Sequence, residues 1–195
     1  MENKLKKSLK IGKTAVKLFN RKGYLQTTME DIAAAAKMSK GAMYYYFSSK
    51  DEILYFVLSD YMDLILHDLE SGLQKIKEAS SRIEFIISRH IDLYTTNLAE
   101  AKTLLHEVHC LPHKYYRTIA AKEREYYRII GNAIAEFLGG QTSINKAKIT
   151  SLTFLLLGMC NWIYWWYDPK GDVSSEELSE IISAVFLKGL NEFRG

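Results

Sequence analysis

Cysteine, proline and glycine are all scarce in this sequence, and each scarcity excludes something. Cys110 and Cys160 are the only cysteines. They form no CxxC pair, so neither a disulfide framework nor a Cys-built zinc site organises the fold. With 2 Pro and 11 Gly in 195 residues, long uninterrupted elements are allowed and helices are favoured. Long apolar runs are missing as well. The longest, Leu152 to Tyr167, falls short of the ~18 residues of a membrane span and is interrupted by Thr153 and Asn161, so it reads as a buried helix. The N-terminal MENKLKKSLK is charged throughout and has no apolar core, unlike a secretory signal. No phosphate loop, GxSxG or HExxH occurs, which excludes the common enzyme motifs. The expectation is a cytoplasmic, mostly helical protein with no enzymatic activity, no cofactor and no membrane partner. What is present, 48% apolar and 25% charged residues, suits a globular chain with a real core.

The charge is unevenly distributed. Residues 1–50 hold 11 Lys/Arg against 3 Asp/Glu, a net of +8, and residues 51–195 hold 15 against 20, a net of −5. A small basic segment is joined to a larger acidic one, and the division expected from this is residues 1–50 and 51–195. Lysines that neutralise phosphates release counterions and give salt-dependent affinity for a polyanion. A basic helix also suits a membrane surface, so charge alone does not choose between the two.

Periodicity chooses helices. Leu5, Leu9, Gly12, Val16 and Phe19 recur at spacings of 4 and 3, with Lys6, Lys10, Lys13 and Lys17 one residue further round. Gly23 is placed to end this helix. Thr28 and Asp31 have the spacing of a capping box and open a short second helix. A new start at Ser39 leads to a third, Lys40 to Phe47. Ser49 with Glu52 opens a long amphipathic helix predicted to reach Lys77. Further helices are predicted from Ser81 to Asn97, from Ala101 to Leu111 before Pro112, and from His113 to Leu138 before Gly139-Gly140. The next starts at Thr142 or Ser143 and carries the apolar run. After the turn Asp168-Pro169-Lys170-Gly171, Ser174 with Glu177 caps a last helix to about Phe193. That makes nine helices, with no strand-like alternation.

The second and third helices are short, adjacent and separated by a brief turn, which is helix-turn-helix spacing. On the third, Met43, Tyr46 and Phe47 share a face and should pack on Ile32 and Ala36. The opposite face presents Lys40, Gly41, Tyr44 and Tyr45. Lys reaches guanine acceptors, Gly lets the backbone approach, and tyrosines bond phosphates and cover thymine methyls. Thr28 and Lys50, each at a helix N-terminus, are placed for phosphates.

The stretches AVKLFNRKGY, TTMEDIAAAA, MSKGAMYYYF and SSKDEIL make residues 9–58 resemble the DNA-binding domain of the TetR family of transcriptional repressors. The resemblance implies a homodimer with helix-turn-helix reading heads and a helical ligand-binding and dimerisation domain. It implies DNA contacts from Thr28, Lys40, Gly41, Tyr44, Tyr45 and Lys50, on a pseudo-palindromic operator whose half-sites lie one or more turns apart. Lys37 departs from the pattern by standing where family members usually have Gly, at a cost of about 1 kcal/mol if the turn is left-handed.

Residues 158–190, GMCNWIYWWYDPKGDVSSEELSEIISAVFLKGL, resemble the C-terminal end of TetR-type regulators of fatty-acid and steroid degradation, some of which respond to acyl-CoA thioesters. The implied effector is a long-chain acyl-CoA or related hydrophobic molecule. Leu104, Leu105, Tyr126, Ile130 and Trp162 are the expected slot-lining residues, and Arg82, Arg89, Arg117, Arg124 and Arg128 are the cations available for phosphates. An alternative effector is a cationic aromatic drug held by ring faces and Glu107, in a regulator of efflux. His106, His109, Cys110 and His113 have metal-like spacing, but Pro112 interrupts it, and no metal site is expected. Trp162, Trp165 and Trp166 with Phe154 supply more apolar surface than one helix face uses. Part of it, with Ile181, Ala184 and Val185 of the last helix, is expected to meet a second subunit.

Overall fold

The computed structural model describes residues 2–139 and 145–193. All elements among them are helical. They are α1 (Glu2–Lys22), α2 (Met29–Ala35), α3 (Lys40–Tyr46), α4 (Lys50–Leu73), α5 (Ala79–Thr96) and α6 (Leu98–Glu107). A 3-10 turn (Val108–Cys110) follows, then α7 (His113–Phe137), α8 (Lys146–Asn161), α9 (Ile163–Trp166) and α10 (Ser175–Asn191). Counting the four-residue α9 as a continuation of α8, these are the nine helices expected.

Several boundaries differ from expectation. Helix α4 ends at Leu73, not Lys77, and α5 begins at Ala79 behind Glu78, not at Ser81. Helix α6 starts three residues before Ala101 and tightens into the 3-10 turn ahead of Pro112. Thr142 and Ser143 lie outside the described residues. The described part of the next helix is capped by Asn145, whose side chain accepts from the Lys148 N–H at 3.0 Å. The apolar run Leu152–Tyr167 is shared between α8 and the short α9, which meet at Trp162. No helix among the described residues is long and apolar enough to cross a membrane.

The chain divides into two compact units. The first comprises residues 1–64 and 99–122, the second residues 65–98 and 123–195. The first thus takes in α1 to α3, the start of α4, and residues 99–122, well beyond the division expected at residue 50.

In the first unit, Ile11, Ala15, Val16, Phe19, Ile32, Met43, Phe47, Ile53, Leu54 and Leu58 form a buried core. They come from four helices; on α1 the expected Val16 and Phe19 are buried together with Ile11 and Ala15, whereas Leu5, expected on the same face, is 55% exposed and Leu9 only partly buried. Gly12 permits a close approach of α1 to α4: a β-carbon there would lie 2.9 Å from Cγ2 of Val57. Gly23 takes φ of +85° and ends α1. Residues 99–122 are tied to this core by hydrogen bonds. Asn20 Nδ2 donates to the Ala99 carbonyl at 2.9 Å and to Thr103 Oγ1 at 2.8 Å. Lys122 Nζ donates to Ser59 Oγ at 2.7 Å and pairs with Asp63 at 2.6 Å.

The second unit is built on α5 against α10, with α8 packed on both. Ile83, Ile86, Ile87, His90, Ile91 and Tyr94 form the buried face of α5, and Leu178, Ile182, Phe186 and Leu190 that of α10.

Candidate functional site

The reading head forms because each short helix is capped by its own sequence. Thr28 Oγ1 accepts from the Asp31 N–H at 3.1 Å, and Asp31 Oδ2 accepts from the Thr28 N–H at 2.8 Å, completing the expected capping box. Ser39 Oγ accepts from the Ala42 N–H at 3.2 Å and starts α3. Between them the chain turns through Lys37 at φ of +56°. The Met38 N–H reaches the Ala33 carbonyl and the Lys37 N–H the Ala34 carbonyl, which is a Schellman turn with lysine at the glycine position. Met43 is fully buried and Phe47 nearly so, fixing which side of α3 faces inward.

The outward side of α3 presents Lys40, Gly41, Tyr44 and Tyr45 together, all exposed. Lys40 Nζ pairs with Glu30 Oε1 at 2.7 Å, and the pairing raises the Lys40 pKa and lowers that of Glu30. Lys4 Nζ lies 4.9 Å from the centre of the Tyr45 ring, adding a second cation to this surface. A β-carbon at Gly41 would touch nothing within 4 Å. The head therefore offers cations, phenols and bare backbone on one exposed helix face.

Two of the six expected contact residues sit differently from expectation. The Thr28 hydroxyl donates to Asp31 Oδ2 at 2.7 Å, so its proton points into the cap instead of outward. Asp31 itself pairs with Lys22 and holds its carboxyl well below the usual range, principally through that bond. Lys50 Nζ donates to the Tyr24 carbonyl at 2.7 Å and the Leu25 carbonyl at 3.3 Å, and lies 4.2 Å from the centre of the Tyr24 ring. It fastens the loop between α1 and α2. The same loop is held by the Tyr24 hydroxyl, which donates to Asp51, and by the Tyr24 N–H, which donates to Glu107 Oε1 at 3.3 Å. Burial, with Asp51 beside it, raises the Tyr24 pKa.

The expected effector residues are not brought together within either unit. Leu104 and Leu105 belong to the first unit; Tyr126, Ile130 and Trp162 belong to the second. Tyr126 and Ile130 are buried, but Trp162 is 62% exposed, as are Trp165, Trp166, Phe154 and Leu155 to similar degrees. Trp162 is thus a surface residue in the described chain. Glu107 is occupied by the Tyr24 N–H and by the Cys110 thiol, 3.7 Å away. Among the described residues no three His, Cys, Asp or Glu side chains are grouped to hold a metal. Of the arginines, Arg82 pairs with Glu136 at 3.2 Å, Arg89 with Asp68 and Asp92, and Arg128 with Glu125, while Arg117 and Arg124 are exposed on α7.

The sequence reading missed a buried polar cluster in the second unit. His90 is only 8% exposed. Its Nε2 donates to Asn161 Oδ1 at 2.9 Å, since an amide oxygen can only accept, and its Nδ1 bonds to the Tyr126 hydroxyl. The Tyr94 hydroxyl also donates to Asn161 Oδ1, at 2.8 Å. Asn161 offers a carbonyl oxygen to two donors, which places a proton on Nε2 of the ring. Burial pushes the His90 pKa down to about 4. The signal was available: His90 falls in step with Ile83, Ile86, Ile87 and Ile91 on one face.

A compact three-helix head with an exposed, cation- and phenol-bearing third helix defines a helix-turn-helix DNA-binding regulator. Residues 11–55 match the bacterial regulatory proteins of the tetR family, and residues 77–190 match the tetracyclin repressor-like C-terminal domain. The chain belongs to the TetR family of DNA-binding transcriptional repressors, whose members bind operator DNA and dimerise, and not to an enzyme class. It is 26% identical over 192 residues to the transcriptional repressor KstR2 of Mycolicibacterium smegmatis, covering 93% of this chain and 89% of that one. A match to the Bacillus subtilis regulator YuxN, 50% identical over 50 residues, spans only 17% of that protein's length. Among solved structures, a TetR-family regulator of Bordetella parapertussis superposes with a TM-score of 0.87 at 29% identity, over 92% of this chain and 93% of that chain. AibR, in complex with isovaleryl coenzyme A and operator DNA, superposes with a TM-score of 0.81 at 28% identity, over 92% and 97%.

Proposed function

We propose that the chain represses transcription from a pseudo-palindromic operator and is released by an acyl-CoA or related hydrophobic effector. The observation that carries the operator half is the shared exposure of Lys40, Gly41, Tyr44 and Tyr45 on α3. In this reading Lys40 exchanges Glu30 for a base or phosphate, and Gly41 lets the helix backbone approach the groove. Tyr44 and Tyr45 contact phosphates and thymine methyls. Lys50 acts by holding the α1–α2 loop through Tyr24 and Leu25, and Thr28 by capping α2; direct phosphate contact from either requires its present bonds to break.

Support for the effector half comes from the likeness to AibR, whose crystallised ligand is isovaleryl coenzyme A. The exposed Arg124, in the same unit as Tyr126 and Ile130, supplies a cation for the coenzyme's phosphates. Tyr126 and Ile130 remain the candidate lining residues in the second unit, and Leu104 and Leu105 those in the first. Trp162 leaves that list and joins a dimerisation surface with Phe154 and Leu155 of α8 and Ile181, Ala184 and Val185 of α10. Large exposed apolar side chains gathered on two helices of one unit suit a protein interface.

The test is a titration of acyl-CoAs of increasing chain length, with free coenzyme A as control, into the protein–operator complex. Each added methylene that is buried contributes about 0.8 kcal/mol, so half-release should fall to lower concentrations until the slot is full. A ligand shifts the complex only if it binds the two states unequally. If no acyl-CoA changes operator affinity, the effector half fails and the operator half stands.

A further inference from the structure

We infer that Glu30 sets the sequence discrimination of the reading head, by holding Lys40 off the DNA phosphates until a base offers it a better partner. The inference rests on the operator reading above. Residues 1–50 hold 11 basic and 3 acidic side chains, as a surface that meets a polyanion should. Two of the three acids, Glu30 and Asp31, stand side by side in the first turn of α2. Asp31 belongs to the fold: it closes the cap with Thr28 and pairs with Lys22. Glu30 has no part in that cap. Its carboxylate reaches across to α3, where Lys40 Nζ lies 2.7 Å from Oε1. The two side chains are 58% and 67% exposed, and a pair so exposed stabilises a fold little. A carboxylate on this face also opposes the approach of any duplex. What the pair does govern is Lys40, whose Nζ is 6.0 Å from the centre of the Tyr44 ring as well.

An unpaired lysine is a point charge on a flexible stem, and it binds whatever phosphate it reaches. Such a contact adds affinity without sequence information. Lys40 paired with Glu30 gains little that way. One anionic oxygen is traded for another, and the carboxylate is left facing the duplex alone. Guanine in the major groove presents two acceptors, N7 and O6, and a lysine on them distinguishes that base from the others. The pair therefore suppresses the sequence-blind use of Lys40 and spares the sequence-reading one. Glu30 acts through Lys40 and is a positioning residue.

The experiment compares the parent chain with Glu30→Gln on two duplexes over a series of salt concentrations. One duplex is enriched from a random library by the parent protein; the other is a scramble of the same composition. On the scramble, Glu30→Gln should steepen the fall of log affinity with log salt by ~0.9 per reading head, the mark of one more neutralised phosphate, and bind about eightfold tighter per head at about 0.1 M salt. On the enriched duplex the salt slope should stay as it is, so the preference between the duplexes narrows. In a Lys40→Ala background, Glu30→Gln should leave that preference unchanged. Melting should stay close to the parent's, since the side chain is exposed. A purely structural role for Glu30 predicts weaker binding to both duplexes, and that result overturns the inference. An unchanged slope on the scramble also overturns it, and so does a loss confined to the enriched duplex, which would make Glu30 itself a reader of bases. A parent chain that prefers no duplex ends the operator reading and this inference together; a parent that discriminates, with Glu30→Gln indistinguishable from it, ends this inference alone.

Discussion

Gly41 occupies the second position of α3, and nothing inside the chain requires it to be glycine, since an added methyl group meets open space. Ala is favoured over Gly in helices by up to about 1 kcal/mol. Gly41→Ala is therefore expected to melt no lower than the parent and to lose operator affinity by about tenfold or more, because the added methyl holds the helix backbone, and with it the contacts of its neighbours, away from the groove. Unchanged affinity in a binding assay would take Gly41 out of the interface. His90 presents the opposite case, a polar residue held entirely by its neighbours. Its pKa falls from the ordinary 6.5 to about 4 because burial penalises the charged ring. Below pH 6.5 the unfolded chain takes up a proton that the folded chain refuses. Stability from this residue is full above pH 6.5, declines as pH falls toward 4, and amounts to roughly 3 kcal/mol across that window. Denaturant melts from pH 7 to pH 4 should show the decline, and His90→Gln should flatten it at the price of a lower plateau.

At the scale of the element, the turn between α2 and α3 carries a measurable strain. Lys37 sits at φ of +56° in a Schellman turn whose hydrogen bonds are both made. A side chain in that conformation costs roughly 1 kcal/mol relative to glycine. Lys37→Gly should raise the melting temperature by about 2–4 °C for a chain of this size. It should also lower operator affinity in a salt-dependent way if the ammonium meets a phosphate. An unchanged melting temperature would mean that Gly's looser unfolded state offsets the relief. Helix α8 passes into the four-residue α9 through Trp162, which keeps helical backbone angles, so the apolar run Leu152 to Tyr167 stays helical almost to its end. At that junction the Asn161 side chain accepts from His90 and Tyr94, bonds that no local pattern announces.

On the scale of the whole molecule, the reading head acts only as a pair. Two α3 helices must meet successive turns of the duplex, so operator affinity depends on dimerisation. Val185 is 60% exposed and lies near Ile181 on α10, outside the core of its own unit. Val185→Glu should leave each chain folded, give monomers in sedimentation, and reduce operator affinity by orders of magnitude. A variant that remains dimeric places the interface elsewhere. Trp162→Ala, on the same reading, should weaken the dimer before it alters any response to acyl-CoA.

What the sequence determined by itself were the features set by near neighbours in the chain. The charge division, the helical periodicities, the caps at Thr28, Ser39 and Ser174, and the left-handed turn at Lys37 all depend on residues within a few positions of one another. So does the outward set Lys40, Gly41, Tyr44 and Tyr45, because a helix of known register has only one opposite face. Only the tertiary structure decided what each long side chain touches. Lys50 reaches carbonyls 26 and 25 residues away, Glu107 accepts from a backbone N–H 83 residues away, and His90 closes on Asn161 from 71 residues away. Trp162, expected inside, is on the surface for the same reason. An apolar ring is buried only if another element covers it, and which element lies there is fixed by packing between segments remote in sequence, not by the ring's own hydrophobicity.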